Sequence, residues 1–276
     1  MNRASETAET EIRRYLNEHA RRADISEAAG RLDEALAIRR ADVLPAYQRL
    51  GDLRGVAVTK GKIADILQAR GELYAALTIR EEQLPVYEAL GDRRSLAVTR
   101  GQIADILQSR GELDAAQQTL RDLLPVFEAL GDKRSLAVTK GKIADILQAR
   151  GELDQALALH LERLPVATEM RDLDSLAHIR FCCAQIRLQR GDHESGGLPT
   201  IADELSEAWE ASRKLGRVDF IGGVGWLLGQ VLAMGGRSAE AVQVLETAAA
   251  GWEKLGQVEQ AAHCRALAVQ LRGGGE

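Results

Sequence analysis

A repeat of 40 residues runs through most of this chain and limits what it can fold into. Gly-Asp recurs at 51–52, 91–92 and 131–132. Similar units of this length pack mainly on their neighbours, so they form a repeat array rather than one globular core. Two further signals keep the same period: Gly-Glu-Leu at 71–73, 111–113 and 151–153, and Leu-Pro at 44–45, 84–85, 124–125 and 164–165.

Each repeat contains two helical patterns. In the repeat that begins at Gly51, the first pattern covers about residues 53–69 and places Val56 and Ile63 on one apolar stripe. The second pattern runs over about residues 72–90, and a glycine follows each pattern as a helix terminator. Two such helices form an antiparallel hairpin whose apolar faces are buried only when hairpins stack.

The pattern predicts a single all-α array over residues 1–276, with divergent ends. Echoes of the repeat predict a first helix at about 9–28 and a last helix at about 257–271. The predicted units are a degenerate N-terminal unit (1–50), three near-identical repeats (51–90, 91–130 and 131–170), a divergent repeat with an insertion at 193–197 (171–215), a second divergent repeat (216–255), and a capping helix with a tail (256–276).

A set of large and small residues recurs at fixed places in these hairpins. A large residue and a small one stand side by side in the first helix, a second large one follows, glycine marks the turn, and alanine comes early in the second helix. The matching residues are Ile63, Ala64, Leu67, Gly71 and Ala76, then Ile103, Ala104, Leu107, Gly111 and Ala116, then Ile143, Ala144, Leu147, Gly151 and Ala156, and in degenerate form Leu228, Gly229, Leu232, Gly236 and Ala241.

In these residues the chain resembles the tetratricopeptide repeat family, in its long forty-residue bacterial form. The resemblance implies a right-handed superhelical solenoid of antiparallel helix hairpins. One departure is the place of the prolines, since Pro45, Pro85, Pro125 and Pro165 fall inside the second helices. An interior proline removes one helical hydrogen bond and clashes with the preceding turn, so we expect a shared bend at these positions.

Composition narrows the range of functions. The net charge of −5 argues against nucleic-acid binding. No window gathers five or six like charges, which argues against a polybasic anchor or an acidic tail. Cys182, Cys183 and Cys264 show neither zinc-type spacing nor a disulfide framework, so we interpret them as reduced thiols of a cytoplasmic protein. The N-terminus lacks the apolar stretch of a signal peptide. The apolar run at 220–236 is shorter than the roughly 20 residues of a membrane span, which favours a buried helix.

The resemblance also implies that the first helices line the concave face and contact a partner protein. Glycine there would let a ligand backbone approach, and Asp and Gln side chains offer hydrogen bonds. The partner-binding residues expected in the three similar repeats are Gly61, Lys62, Asp65, Gln68, Gly101, Gln102, Asp105, Gln108, Gly141, Lys142, Asp145 and Gln148. Residues 57–73 and 137–153 are identical, which either a retained binding surface or recent duplication explains.

The inner face becomes aromatic and aliphatic in the two later repeats. Such a surface can anchor the apolar residues of a partner. The alternative is that the terminal helix or a second copy covers it, or that the helix is buried. The residues expected on this face are Phe181, Gln185, Trp226, Leu227, Gln230 and Met234.

Catalytic chemistry is sparse in the sequence. No nucleophile, base and orienting group form a recognisable set, so we expect neither an enzyme nor a cofactor. His178 and Cys182 lie four residues apart on one helix, but two ligands do not make a metal site, and we interpret them as an incidental pair. The glycines at 222, 223 and 225 lack the Lys-Ser/Thr of a phosphate loop and favour close helix packing.

Three functions remain open at this point. The first is a scaffold that binds a peptide or a helix of a partner protein on the concave face. The second is a regulatory or sensor subunit that acts in trans on a bacterial signalling or defence effector, such as an ATPase or a caspase-like protease. The third is a structural oligomer formed by self-association of end units. We expect no nucleic-acid or membrane partner.

Overall fold

A computed structural model describes residues 3–273, with side chains from residue 7 onward. Within this range the regular structure is helical throughout. The helices are α1 (Arg3–Ala28), α2 (Leu32–Ile38), α3 (Leu44–Arg49), α4 (Leu53–Ala69), α5 (Leu73–Ala89), α6 (Arg93–Ser109), α7 (Leu113–Ala129), α8 (Lys133–Ala149), α9 (Leu153–Glu169), α10 (Leu173–Gln189), α11 (Leu198–Leu215), α12 (Val218–Met234), α13 (Ser238–Lys254) and α14 (Val258–Gly273).

The helix bounds agree closely with the periodic pattern. The predicted first helix at 53–69 is α4, and the second helix of that repeat differs by one residue at each end. α1 begins six residues before the expected start at residue 9. The insertion after α10 forms a 3-10 turn at Asp192–Ser195. The predicted tail at 274–276 lies outside the described residues.

The Gly-Asp signal ends one helix and begins the next. Gly91 has φ of +63°, a left-handed conformation that terminates α5 at little cost for glycine. The Asp92 carboxylate then accepts a hydrogen bond from the Ser95 backbone N–H at 3.0 Å and caps α6. The same cap recurs at Asp52, Asp132 and Asp172. The Gly-Asp dipeptide therefore sets both the end of one helix and the beginning of the next.

The recurring prolines are accommodated within helices. Pro85, Pro125 and Pro165 lie inside α5, α7 and α9, which continue through them as α-helices. In the first unit, a π-helical turn at Arg39–Val43 precedes Pro45. The shared bend itself stays a prediction.

The chain divides into two compact bodies, Met1–Thr139 and Lys140–Glu276. In the first body, helices pack in sequence, α4 on α5, α5 on α6 and α6 on α7. Small residues allow close contact, since Ala64 and Ala76 are fully buried in one cluster with Ile63 and Leu67. These are the large and small positions of the repeat signature, so the signature supplies part of the core of this body.

The second body packs around a tryptophan and three glycines. Trp209 of α11 is buried, and a Cβ on Gly225 of α12 would clash with its ring. Gly222 and Gly229 make equally close approaches to Trp252 and Leu245. The prediction that the glycines at 222, 223 and 225 serve helix packing is confirmed for Gly222 and Gly225, whereas a Cβ on Gly223 would meet no atom within 4 Å. Among residues 3–273, no helix is both long enough and apolar enough to span a membrane.

Candidate functional site

A groove of about 290 Å³ lies between α4, α5 and α6 in the first body. It brings together four of the residues expected from sequence to contact a partner. These are Gly61, Lys62, Asp65 and Gln102. The other residues that line it are Val58, Arg80, Gln83, Tyr87, Arg94, Ser95, Val98 and Thr99.

The floor of the groove is built by two buried polar side chains of α5. The Arg80 guanidinium, 3 % exposed, forms an ion pair with Asp65 of α4. Arg80 also donates to Gln83 Oε1 at 3.0 Å, and Gln83 Nε2 donates to the Ala57 carbonyl at 2.7 Å. A buried charge needs such partners to offset the loss of water. The Asp65 carboxylate thus both faces the groove and neutralises its floor.

The same side chains explain why glycine stands at position 61. A Cβ there would lie 2.8 Å from both Arg80 Nη1 and Gln83 Nε2. At Gly141, the Arg163 guanidinium fills the same space, with its Cζ 2.5 Å from an added Cβ. The space expected to admit a ligand backbone is therefore occupied by the protein's own side chains. Gly101 differs, because only Leu123 Cδ1 approaches, at 3.6 Å.

The rim of the groove carries a partly exposed basic residue beside apolar ones. Lys62 forms an ion pair with Asp24 of α1 at 2.7 Å. Exposed valines recur at 40-residue spacing, with Val58, Val98 and Val138 having 47 %, 38 % and 45 % of their surface accessible. These valines were not among the residues expected from sequence to contact a partner. Their position in the sequence could have identified them, because Val58 lies between Val56 and Ile63 of the apolar stripe.

The remaining predicted residues of the first body flank the groove. Gln68 lies on α4, and Gly101, Asp105 and Gln108 lie on α6, all of them half-buried. They do not line the cavity itself.

In the second body, the predicted residues of α8 meet a different set of partners. Gln148 Nε2 donates to Gln189 Oε1 of α10 at 3.2 Å. Lys142 is half-buried on the same helix as Gly141. The Oδ1 atom of Asp145 is 3.7 Å from the Nε2 atom of His160, which lies on α9. The residue expected to face a partner is therefore part of a polar cluster.

That cluster also contains the histidine and cysteine that the sequence suggested were an incidental pair. His178 Nε2 lies 3.6 Å from Cys182 Sγ, and Asp145 supplies an oxygen nearby. Burial raises the pKa of Cys182 to about 12 and lowers the pKa of His160 to about 3. Burial likewise raises the pKa of Asp145. Sequence reasoning missed the grouping because Asp145 and His160 are distant in the chain.

The predicted apolar inner face is divided between two core clusters. Phe181 packs edge-on against Phe220 at 5.6 Å and, with Leu227, joins the cluster around Trp209. Trp226 packs instead against the cluster of α13 and α14. Both aromatic residues keep part of their surface accessible. Of the remaining residues, Gln185 and Gln230 are half-buried and Met234 is 54 % exposed.

Comparison with known proteins bears on this arrangement. Residues 55–129, which hold α4–α7 and the groove, match the sequence model of the tetratricopeptide repeat. Residues 55–129 form tetratricopeptide repeats. The sequence resemblance is thereby confirmed, and the groove lies between helices of these tetratricopeptide repeats. A comparison with curated proteins finds no significant match.

Several solved structures share the fold of these tetratricopeptide repeats. Aspartyl phosphate phosphatase F from Bacillus subtilis is 13 % identical, with 97 % of this chain and 73 % of that chain aligned at a TM-score of 0.70. The Rap conjugation gene regulator of plasmid pLS20, solved in complex with the Phr* peptide, is 13 % identical over 94 % and 74 % of the two chains, at 0.61. A Podosopora anserina protein with nearly identical TPR-like repeats is 16 % identical over 73 % and 97 %, at 0.56. At this identity the likeness shows the all-α repeat fold.

Proposed function

We propose that this chain is a non-catalytic scaffold that binds a peptide of a partner protein along its first helices. The observation that carries the proposal is the groove between α4, α5 and α6, because it gathers residues of three consecutive helices into one accessible surface. Concave sites between the helices of repeat arrays are a recurrent place for partner binding.

The chemistry of the groove fits an extended peptide. Gln102 supplies an amide that both donates and accepts, which suits the exposed amides of a peptide backbone. Val58 and Val98 lie beside it and offer apolar contacts for small side chains. Each charged side chain of the lining has an ion-pair partner, so neither a strongly acidic nor a strongly basic ligand is favoured by the groove alone. Asp65 pairs with Arg80, Lys62 with Asp24 and Arg94 with Asp132.

The solved structures add support. The structure of the pLS20 regulator was solved in complex with a peptide, and its helical repeat fold is similar to this one. The proposal extends the contact surface to the flanking residues of α6, Asp105 and Gln108. In this proposal Gly61 has a packing role and does not contact the peptide, because Arg80 and Gln83 fill the space beside Gly61. In the second body, the exposed parts of Phe181, Trp226 and Met234 form a further candidate contact surface.

A matched pair of valines tests the groove. Peptides selected from a random phage-displayed library on the folded chain are measured for affinity to Val98→Asp and Val269→Asp. Val98 lines the groove, whereas Val269 is 64 % exposed on α14. We expect Val98→Asp to weaken binding by about tenfold or more, equivalent to about 1.4 kcal/mol, and Val269→Asp to leave it unchanged.

Equal affinities of the two variants would contradict the groove. Light scattering of the chain alone separates the alternatives. A concentration-dependent mass, together with no selected peptide, would favour self-association. A monomer that binds no peptide but changes the activity of an added effector would favour a regulatory subunit.

A further inference from the structure

Four side chains of metal-ligand type converge in the second body from three consecutive helices. They are Asp145 of α8, His160 of α9, and His178 and Cys182 of α10. One ligand atom from each of Asp145, His178 and Cys182 lies within 4.8 Å of the other two. The carboxylate of Asp145 also contacts the fourth residue, because its Oδ1 lies 3.7 Å from His160 Nε2.

Two members of the cluster are shielded from water, whereas Asp145 and His178 are half-buried, and one nitrogen has no partner. His160 is fully buried and Cys182 is 6 % exposed. His160 Nε2 makes no hydrogen bond, although it faces the Asp145 carboxylate. A buried polar atom without a partner is rare in folded proteins and calls for an explanation. A metal ion coordinated by His160 Nε2 would provide that explanation.

The ligand-type residues are specific to this repeat. The equivalent places 80 residues earlier, in the groove of the first body, hold Asp65, Arg80, Val98 and Gln102. Only the aspartate there is a metal-ligand type. Compared with that earlier repeat, three ligand-type residues, His160, His178 and Cys182, are added around the aspartate. The aspartate itself lies in a stretch, residues 137–153, that is identical to residues 57–73.

The distance between the sulfur and the nearby histidine nitrogen suits a tetrahedral ion. With zinc–sulfur bonds of about 2.3 Å and zinc–nitrogen bonds of about 2.0–2.1 Å, sulfur and nitrogen on one tetrahedral ion lie about 3.5 Å apart. The separation of Cys182 Sγ and His178 Nε2 is 3.6 Å. Thiolate, imidazole and carboxylate are ligands that zinc and cobalt(II) accept together.

We propose that Asp145, His178 and Cys182 bind one divalent transition-metal ion of the zinc class, and that His160, beside Asp145, supplies a fourth ligand. On binding, the Cys182 thiol releases its proton to solvent, and the thiolate and the Asp145 carboxylate together neutralise the ion. The proposal stands apart from peptide binding, because it concerns different helices and a different body.

Arg163 makes His160 the weakest member of the set. Its Nη1 donates to His160 Nδ1 at 2.9 Å, which leaves the imidazole proton on Nε2. Ligation through Nε2 needs that proton on Nδ1, so Arg163 gives up this hydrogen bond when His160 binds the ion. Loss of His160 therefore weakens the site less than loss of Cys182.

Cobalt(II) titration of the untagged full-length chain tests the site, because a cobalt thiolate has a distinct near-ultraviolet charge-transfer band. We expect one cobalt per chain with that band, and its loss when zinc is added. Cys182→Ser abolishes the band, whereas Cys183→Ser, the adjacent buried cysteine, keeps it. His178→Val, which restores the residue type found at Val98, weakens binding by about 100-fold or more.

Absence of the band in the wild-type chain would overturn the proposal, as would a band that survives in Cys182→Ser. Circular dichroism establishes that each variant is folded. If Cys182→Ser does not fold, X-ray absorption of the zinc-loaded wild-type chain decides instead. One sulfur and two or three nitrogen or oxygen neighbours support the site, and a zinc shell without sulfur refutes it.

Discussion

The position fifteen residues after a recurring aspartate shows how one residue changes the chemistry of a repeat. The aspartates are Asp24, Asp65, Asp105 and Asp145. Arg39 donates to Asp24 at 2.7 Å, and Arg80 pairs with Asp65 in the next repeat. The third repeat has Leu120 at this place, fully buried. The fourth has His160, which faces Asp145. The helix frame stays constant while the residue at this position changes from arginine to leucine to histidine, so the chemistry beside the aspartate differs from repeat to repeat.

The glycines of the first helices test this reading of the floor. We expect Gly61→Ala to lower the free energy of unfolding by about 1 kcal/mol. Overpacking costs about 1–3 kcal/mol, and helix propensity returns at most about 1 kcal/mol. The neighbours cannot move freely, because Gln83 is held by the Ala57 carbonyl and Arg80 by Asp65.

Gly101→Ala is the matched control. An added Cβ there meets only Leu123 Cδ1 at 3.6 Å, an ordinary contact. We expect this variant to be more stable than the wild type by about 0.5–1 kcal/mol, from helix propensity alone. Urea unfolding measures both. The same sign of change in the two variants would contradict the role assigned to Arg80 and Gln83.

Sequence could locate these glycines but not explain them. The repeat shows that Gly61, Gly101 and Gly141 share a register. Which side chain fills the adjacent space depends on the second helix, where Gln83, Leu123 and Arg163 stand at equivalent places. That information becomes visible only when the two helices are packed together.

At the scale of the helix, local signals were sufficient. The bounds of α4 follow from an aspartate cap at its start and a left-handed glycine after its end, both of which are sequence-local. The start of α1 was less predictable, because no such cap or repeat copy marks residues 3–8. A proline-induced bend is likewise a tertiary property, since packing decides how each helix accommodates it.

The caps give a prediction with a pH dependence. We expect Asp92→Ala to lower the free energy of unfolding by about 0.5–2 kcal/mol at neutral pH, because α6 loses its N-cap. The backbone hydrogen bond from Ser95 lowers the pKa of Asp92 below its ordinary value of 3.8. A lowered folded-state pKa stabilises the protein above the unfolded pKa and is lost as the pH falls through the folded one. The difference between wild type and variant should therefore shrink below about pH 4.

Glu112→Ala is the control for this prediction. Glu112 precedes α7 at the equivalent N-cap position, but its side chain makes no capping hydrogen bond. We expect a change of less than about 0.5 kcal/mol, as for an ordinary surface substitution. Equal losses in the two variants, measured by urea unfolding at neutral pH, would show that the Asp92 carboxylate is not what stabilises α6.

At the scale of the whole molecule, the fold class was the most predictable property. Sustained periodicity over many repeats averages out the uncertainty of any one helix, and the tetratricopeptide match confirms it for residues 55–129. The candidate sites were harder to predict. The groove needs residues from three helices, and the cluster around Asp145 joins residues that no short window contains.

Packing between neighbouring helices predicts which helices a destabilising substitution affects. Gly225→Ala places a Cβ 2.8 Å from Ala248 Cβ and against the Trp209 ring, neither of which can move easily. We expect faster amide hydrogen exchange in α11, α12 and α13, and unchanged exchange in α4 and α5, because repeat stability is a sum of neighbour terms. Uniformly faster exchange along the chain would contradict this local coupling.

The central claim is that a partner peptide lies against the first helices, in the groove beside Gln102. Its most direct test is photo-crosslinking with benzoylphenylalanine placed at Gln102 or at Gln118, an exposed glutamine of the second helix α7. We predict that a selected peptide crosslinks to position 102 and not to position 118. Crosslinking at position 118 alone would place the ligand on the opposite helices and contradict the account.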